Sequence, residues 1–310
     1  MKKINDYIKR TDAEQYCSPD DSSHLVNNNR QRNRLAVTCI LIMLSAVGMA
    51  IDESDYLCKN NISVIHYLEV YSAFVLLLAY IVPFVILMKW ICAKYKISGM
   101  ELLTAVLCGA FVPAAFAGEL NEGFDNLMRS LMGHSYSDAW IGSAEAGIVE
   151  ELLKLGTTAM LLYVLNRKSL KHYLTIGMCV GIGFQIEEDI SYITESGFSN
   201  VNDAFPTALD RITGALGSHW AYAAVTAAGL YLIVRACSRN HIRRGLGWIV
   251  LVMADHFLYD SPIGNAALFN AIITAAVVLP VIIFFKSSEM TKEKNTADTQ
   301  IPGVHEGNKQ

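Results

Sequence analysis

Ionisable side chains interrupt four otherwise apolar stretches of this chain: Glu150-Glu151-x-x-Lys154, Phe184-x-x-x-Glu188-Asp189, Arg211 with His219, and His256-x-x-x-Asp260. Such groups are costly in hydrocarbon, so they are usually kept for transport, proton relay or catalysis. Several carboxylates with two imidazoles and an amine are also what a water-activating hydrolase needs. Glu150 and Lys154 are four residues apart and Glu151 and Lys154 three, which puts all of them within reach on one helix face. One lysine then neutralises one carboxylate and leaves the other free to act as a base, and two adjacent acids titrate as a coupled pair. Phe184 lies one turn before Glu188 and flanks it. His256 and Asp260 have the spacing by which a carboxylate orients an imidazole. Together the histidines and glutamates make either a metal site or an acid/base pair, and the spacing is not the His-Glu-x-x-His of common zinc proteases. Arg211 is read as binding a substrate carbonyl or an acidic partner, with a helix-end anchor as the alternative, and Glu187 as facing a polar cavity or the outer surface.

The elements that must position these residues are membrane spans. The chain has 310 residues, 53% of them hydrophobic and only 17% charged, against about 25% charged in an average soluble domain. The net charge of −4 gives no sign of nucleic-acid binding. The seven cysteines form no CxxC pair and read as small packing residues with no disulfide framework. Apolar runs at 35–51, 67–88, 100–118, 143–165, 173–193, 209–234, 245–259 and 266–285 predict an all-α, polytopic protein with eight transmembrane helices. Basic residues test that count. The tail before the first run, the loops after the second, fourth and sixth, and the tail after the eighth hold 21 of the 25 Lys and Arg. The positive-inside rule then puts both termini in the cytoplasm. Residues 1–34 and 287–310 are polar and predicted to be disordered tails around a membrane domain at 35–286.

Topology fixes a depth for each patch. With 1.5 Å of rise per residue, Glu150 lies ~12 Å, Glu188 ~8 Å and His219 ~15 Å below the outer edge, with His256 and Asp260 at the outer end of their span. All four patches thus fall in the outer half of the membrane, as one composite site would require. Gly177-x-x-x-Gly181 is a close-packing pattern that lets the fifth span press on a neighbour. The external loop at 119–142 carries Phe124, Leu127, Met128 and Leu131 at helical spacing. It is read as an amphipathic helix at the outer interface, a lid gating substrate entry. Asn61-Ile62-Ser63 is a glycosylation sequon in another external loop.

These residues, in this order over 143–265, resemble the PrsW family of intramembrane proteases, and more distantly the CAAX-type prenyl proteases. Glu150-Glu151-Leu-Leu-Lys154 is similar to an EExxK motif, and Phe184-Gln-Ile-Glu-Glu188-Asp189 to an FxxxEN motif with Asp189 in place of Asn. The Arg211…His219 and His256-Phe-Leu-Tyr-Asp260 segments are similar to the family's two His-containing motifs, with Asp260 where Asn is usual. The resemblance implies cleavage of a peptide bond in or beside the bilayer. Its substrates would be single-span proteins such as the anti-sigma factors of stress signalling, cut on the extracytoplasmic side of a bacterial plasma membrane. It leaves open a metalloprotease, with zinc on Glu188, His219 and His256, or a glutamate-dependent enzyme.

The combined reading is an intramembrane endopeptidase. Glu151, with Glu150, activates water, and Lys154 tunes the pair. Glu188, His219 and His256 complete the base, oxyanion or metal environment, while Phe184, Asp189, Arg211 and Asp260 support them or bind substrate. A proton- or metal-coupled transporter would need polar groups continuing to the cytoplasmic side, where these spans are nearly free of ionisable residues. A CAAX-type processing enzyme would need an inward-facing site, and a catalytically silent scaffold would need no such cluster.

Overall fold

A computed structural model describes residues 25–57, 62–132 and 140–298. Asn61 of the sequon, Cys17, Cys58 and residues 133–139 of the 119–142 loop lie outside it, as do most of the residues assigned to tails. The described part is 93% helical with no strand. In chain order the helices are α1 (Leu25–Leu57), α2 (Val64–Phe74), α3 (Leu78–Tyr95), α4 (Gly99–Gly109), α5 (Ala115–Met132), α6 (Gly142–Val164), α7 (Leu170–Ser199), α8 (Ala204–Gly214), α9 (His219–Val234), α10 (Arg239–Asp260) and α11 (Ala267–Asp298). Helix therefore extends into both stretches assigned to the tails, at 25–34 and 287–298.

The most buried element is α7. Every residue from Tyr173 to Gln185 is buried, so this helix has no solvent- or lipid-facing side over more than three turns. Glycines make that possible. A Cβ on Gly181 would sit 2.2 Å from the His219 carbonyl oxygen, and one on Gly183 would sit 2.0 Å from that of Val106. The α9 and α4 backbones thus press directly on α7, as the Gly177-x-x-x-Gly181 pattern predicts. Leu174, Ile176, Met178 and Val180 of α7 join Tyr222, Ala224, Val225 and Ala228 of α9 and Val252 of α10 in one core cluster.

Among the described residues, four helical stretches are long and apolar enough to cross a membrane: Asn29–Ser54, Val64–Tyr95, Gly99–Leu131 and Ala267–Ser288. They form the outer wall. The first two bury only 17% of their most apolar window, and Ile42, Met43, Leu68, Val75 and Ile272 point outward. In lipid that outward face is solvated by acyl chains, and the central helices are left to hold polar side chains. The chain is a multi-pass membrane protein.

The structure corrects two element boundaries. The run at 209–234 is not one span: α8 ends at Gly214, a short turn follows, and a new helix starts at His219. The physical reason is Ser218, whose backbone leaves the helical region and whose side chain donates to Gln185 Oε1. The depth of His219 therefore cannot be counted from Leu209 along one helix. Residues 119–132 are not a loop either. They continue α4 through a wide turn at Ala110–Ala114, where Pro113 removes a backbone donor, into α5. The stripe with Leu127 and Leu131 is on a helix, as the spacing predicts, and those two side chains are exposed.

The described cysteines, Cys39, Cys92, Cys108, Cys179 and Cys237, form no disulfide with one another.

Candidate active site

Helix α6 supplies two acids and a lysine from successive positions on one face. Lys154 and Glu151 are fully buried and 2.6 Å apart, and Lys154 Nζ is 3.6 Å from Glu150. Charges without water need close opposite charges, and α6 provides both in one turn. The Lys154 ammonium also lies 4.2 Å from the centre of the Phe184 ring, a cation–π contact. Phe184 therefore flanks the lysine, lines the same cavity as Glu188, and packs on His219 at 4.7 Å.

The break before α9 places His219 at a helix N-terminus, between two charged partners. Its Nδ1 is 2.8 Å from Lys154 Nζ, and its Nε2 is 3.1 Å from Glu188. His256, in the last turns of α10, lies with its ring 5.2 Å from that of His219. Its Nδ1 meets Glu151 at 3.1 Å and its Nε2 meets Asp260 at 3.1 Å. The i, i+4 pairing of His256 with Asp260 is thus realised as a contact. Tyr222 stacks on His256 at 4.9 Å and donates its hydroxyl to Asp255.

Arg211, from the separate helix α8, pairs with both Glu188 and Asp189. Asp189 accepts further hydrogen bonds from Tyr80 of α3 at 2.9 Å and from Gln185 at 2.8 Å. A carboxylate here, where amide is usual in the resembled motif, is matched by the guanidinium. Every residue expected at the site converges on it. Those not foreseen are Tyr80, Asn121, Gln185, Ser218, Tyr222 and Asp255. Gln185 and Ser218 are polar interruptions of apolar runs and were visible in principle. Tyr80 and Tyr222 are aromatics in apolar helices, which gives no signal.

Two cavities meet at this cluster. One, about 510 Å³, is bordered by Glu150, Glu188, Arg211, His219, His256 and Asp260 among others. A second, about 420 Å³, lies on the other side of Asn121, Glu150, Glu188 and Tyr192, which line both. Glu151 lines neither. Glu150 is the member of the α6 acid pair that reaches open space. Its Oε1 accepts from Asn121 at 3.3 Å, and its Oε2 is buried without a hydrogen-bond partner. That oxygen is 3.7 Å from His256 Nε2 and 3.9 Å from His219 Nδ1.

Among the described residues, one group has the donors of a metal site. Glu150, His219 and His256 offer ligand atoms within 4.8 Å of one another. The expected trio contained Glu188 in place of Glu150, but Glu188 is drawn to Arg211 across the α7–α8 contact. A carboxylate with two imidazoles suits zinc, and a Glu150 oxygen that takes no hydrogen bond adds to the fit. Lys154 would have to leave His219 Nδ1 before that nitrogen could ligate. The network also holds more carboxylates (Glu150, Glu151, Glu188, Asp189 and Asp260) than fixed cations (Lys154 and Arg211). A proton or an added cation must therefore balance it at low dielectric.

No curated protein and no solved structure matches the chain. The family model described as PrsW family intramembrane metalloprotease matches residues 100–285, more than half of the sequence, from the first turn of α4 into α11. With the acids, lysine and histidines of those helices gathered around one pair of cavities, the chain belongs to the PrsW family of intramembrane metalloproteases.

Proposed function

We propose that this intramembrane peptidase cuts a membrane-anchored, single-span protein on the extracytoplasmic side, with Glu150 as the group that activates water. The observation behind this is the position of Glu150: it is the α6 carboxylate that borders both cavities, with one oxygen that takes no hydrogen bond and lies within 4 Å of Lys154 and of two imidazoles. Water bound to that oxygen gives it a proton as the hydroxide attacks the scissile carbonyl carbon. His256 turns its Nε2–H from Asp260 to donate to the oxyanion that forms, while His219, with Nδ1 taken by Lys154 and Nε2 by Glu188, holds those two charged groups in place. The carbon–nitrogen bond then breaks, and Glu150 returns its proton to the leaving amine. Lys154 and Glu151 keep this arrangement in register, and Arg211 fixes Glu188. A divalent ion such as zinc on Glu150, His219 and His256 would supply Lewis-acid polarisation of the carbonyl instead, with Glu150 then a ligand and no longer the base.

The test is hydrolysis of a tagged single-span reporter by the purified full-length chain in liposomes. The expected product begins at a new N-terminus within a few residues of the outer end of the reporter's span. A reporter left whole under conditions where the protein is folded would overturn the reading. Chelator treatment assigns the water-activating role. Loss of the rate with recovery on adding zinc places an ion on the trio, and an unchanged rate leaves the work to the side chains alone.

The orientation belongs to the same proposal: eight crossings, both termini cytoplasmic, in a bacterial plasma membrane, with an anti-sigma factor as substrate. Basic residues alternate as that topology requires. Arg167, after α6, pairs with Glu101, at the start of α4, so those two ends lie on one side. Ser143, at the start of α6, donates to the Asp260 carbonyl, so those two lie together on the other. In a cysteine-free background, Cys introduced at Ser169 is expected to stay unlabelled by a membrane-impermeant maleimide in whole cells, while Cys at Asn200 is labelled. The reverse pattern would invert the topology.

A further inference from the structure

The second cavity has a wall that the peptidase chemistry does not use. Beyond Glu150 and Glu188 it is lined by Asp52 of α1, Glu119 and Glu122 of α5, and Glu187 and Glu195 of α7. Among the described residues no Lys, Arg or His lines it. Glu187, Ser191, Thr194 and Glu195 sit at i, i+4, i+7 and i+8 on α7, and Glu119 and Glu122 at i, i+3 on α5, so each helix turns an acidic face inward. Asp52 and Glu187 are engaged by other groups, whereas the like charges of Glu119, Glu122 and Glu195 repel across the cavity and are relieved by a cation between them. Thr194 lines the same cavity and is only 3% exposed, yet its hydroxyl is buried with no hydrogen-bond partner. That oxygen is a further acceptor awaiting a donor.

We propose that this vestibule receives a lysine or arginine side chain of the substrate, next to the peptide bond to be cut; the inference rests on the peptidase reading above. Three features favour a side chain over a bare metal ion. Calcium needs six to eight oxygens converging at one point, whereas the only three described His, Cys, Asp or Glu side chains with mutually close ligand atoms are Glu150, His219 and His256. The cavity, at about 420 Å³, far exceeds an ion. Its floor includes Ile51, Ala114, Ala117 and Phe184, apolar surface suited to the methylene stem of a long basic side chain. The vestibule also borders Glu150, so a residue anchored in it is next to the bond under attack. By sequence, Asp52, Glu119 and Glu195 follow the outer ends of the first, third and fifth apolar runs. The recognised residue thus lies just outside the substrate's span.

Two measurements test this, on the full-length chain in nanodiscs of neutral phosphatidylcholine. The variant Glu119→Gln/Glu122→Gln/Glu195→Gln removes three exposed charges that the mechanism does not need. Fluorescent tetralysine and tetraserine peptides are titrated into wild type and variant. Wild type is expected to bind tetralysine roughly tenfold more tightly, as three partly exposed ion pairs together give, and the variant to lose that preference. The preference should shrink as salt is raised. In parallel, reporters carrying Lys-Lys or Glu-Glu beside the cut site are compared. The variant is expected to raise KM for the Lys-Lys reporter with little change in kcat. Equal binding of the two peptides by wild type overturns the proposal and leaves the peptidase reading intact. So does a calcium titration that saturates a wild-type site and abolishes the peptide preference. A preserved binding difference with no reporter cleaved removes the peptidase reading and keeps the vestibule as a basic-peptide site.

Discussion

Glu150→Gln is expected to lower reporter cleavage by about 10²–10⁴-fold, the usual contribution of a positioned general base, while leaving the fold intact. Glutamine has the same shape, and its carbonyl oxygen still accepts from Asn121, which now meets Glu150 at 3.3 Å. What is lost is the basic oxygen that lies within 4 Å of both His219 and His256. Removal of the charge should not strand Lys154, whose closer partner is Glu151 at 2.6 Å. Single-turnover cleavage in liposomes reads the rate, and thermal unfolding by circular dichroism reads the fold. A variant that cleaves within about fivefold of wild type would take Glu150 out of the mechanism and return the role to Glu151.

Lys154→Met is expected to cost about 3 kcal/mol of stability, because it leaves the fully buried Glu151 carboxylate without its nearest cation. Methionine fills the space against Phe184 and adds a sulfur–aromatic contact, so packing loss is small. His256 still meets Glu151 at 3.1 Å, which keeps the cost at the lower end of the range for broken buried pairs. Adding Glu151→Gln removes the stranded charge, and the double variant should recover most of the loss. Denaturant unfolding in detergent gives the three stabilities. If the double variant is less stable than Lys154→Met alone, the pair is not what makes the lysine necessary. This cycle separates Glu151 as a structural partner from Glu150 as a chemical one, a distinction that adjacent residues in a sequence do not offer.

Much of the site was legible in the chain because hydrocarbon makes polar residues conspicuous. Glu150, Glu151, Lys154, Glu188, Asp189, Arg211, His219, His256 and Asp260 stand out by type alone, and all of them meet in one network. The helical periodicity around Leu127 correctly marked a helix. Its continuity with α4 was hidden because Pro113 reads as a helix breaker, whereas here a single wide turn absorbs it. The break before His219 was hidden for the opposite reason. Gly214, Gly217 and Ser218 are small residues common in membrane helices, so nothing in their types signals that Ser218 leaves the helix to bond Gln185. The four central apolar runs read as spans like the others. In the folded chain α7 and the first turns of α9 are the sheltered interior, and among the described residues only the outer four are both long and apolar enough to stand as spans by themselves.

The sequence by itself determined the helical class, the membrane setting and the set of side chains that could do chemistry. Burial and helical spacing are local in the chain, so residue types report them. Tertiary structure decided which oxygen faces the cavity. Glu150 and Glu151 are neighbours with identical chemistry, and their difference comes from a rotation of about 100° around α6. That rotation turns Glu151 into the Lys154–His256 contact and Glu150 toward Asn121 and open space. It also decided that Glu188 belongs with Arg211 while Glu150 joins the two histidines, and that acids from α1, α5 and α7 surround a common cavity. These are relations between segments that are distant along the chain, and they exist only after the glycines of α7 have let α9 and α4 close on it.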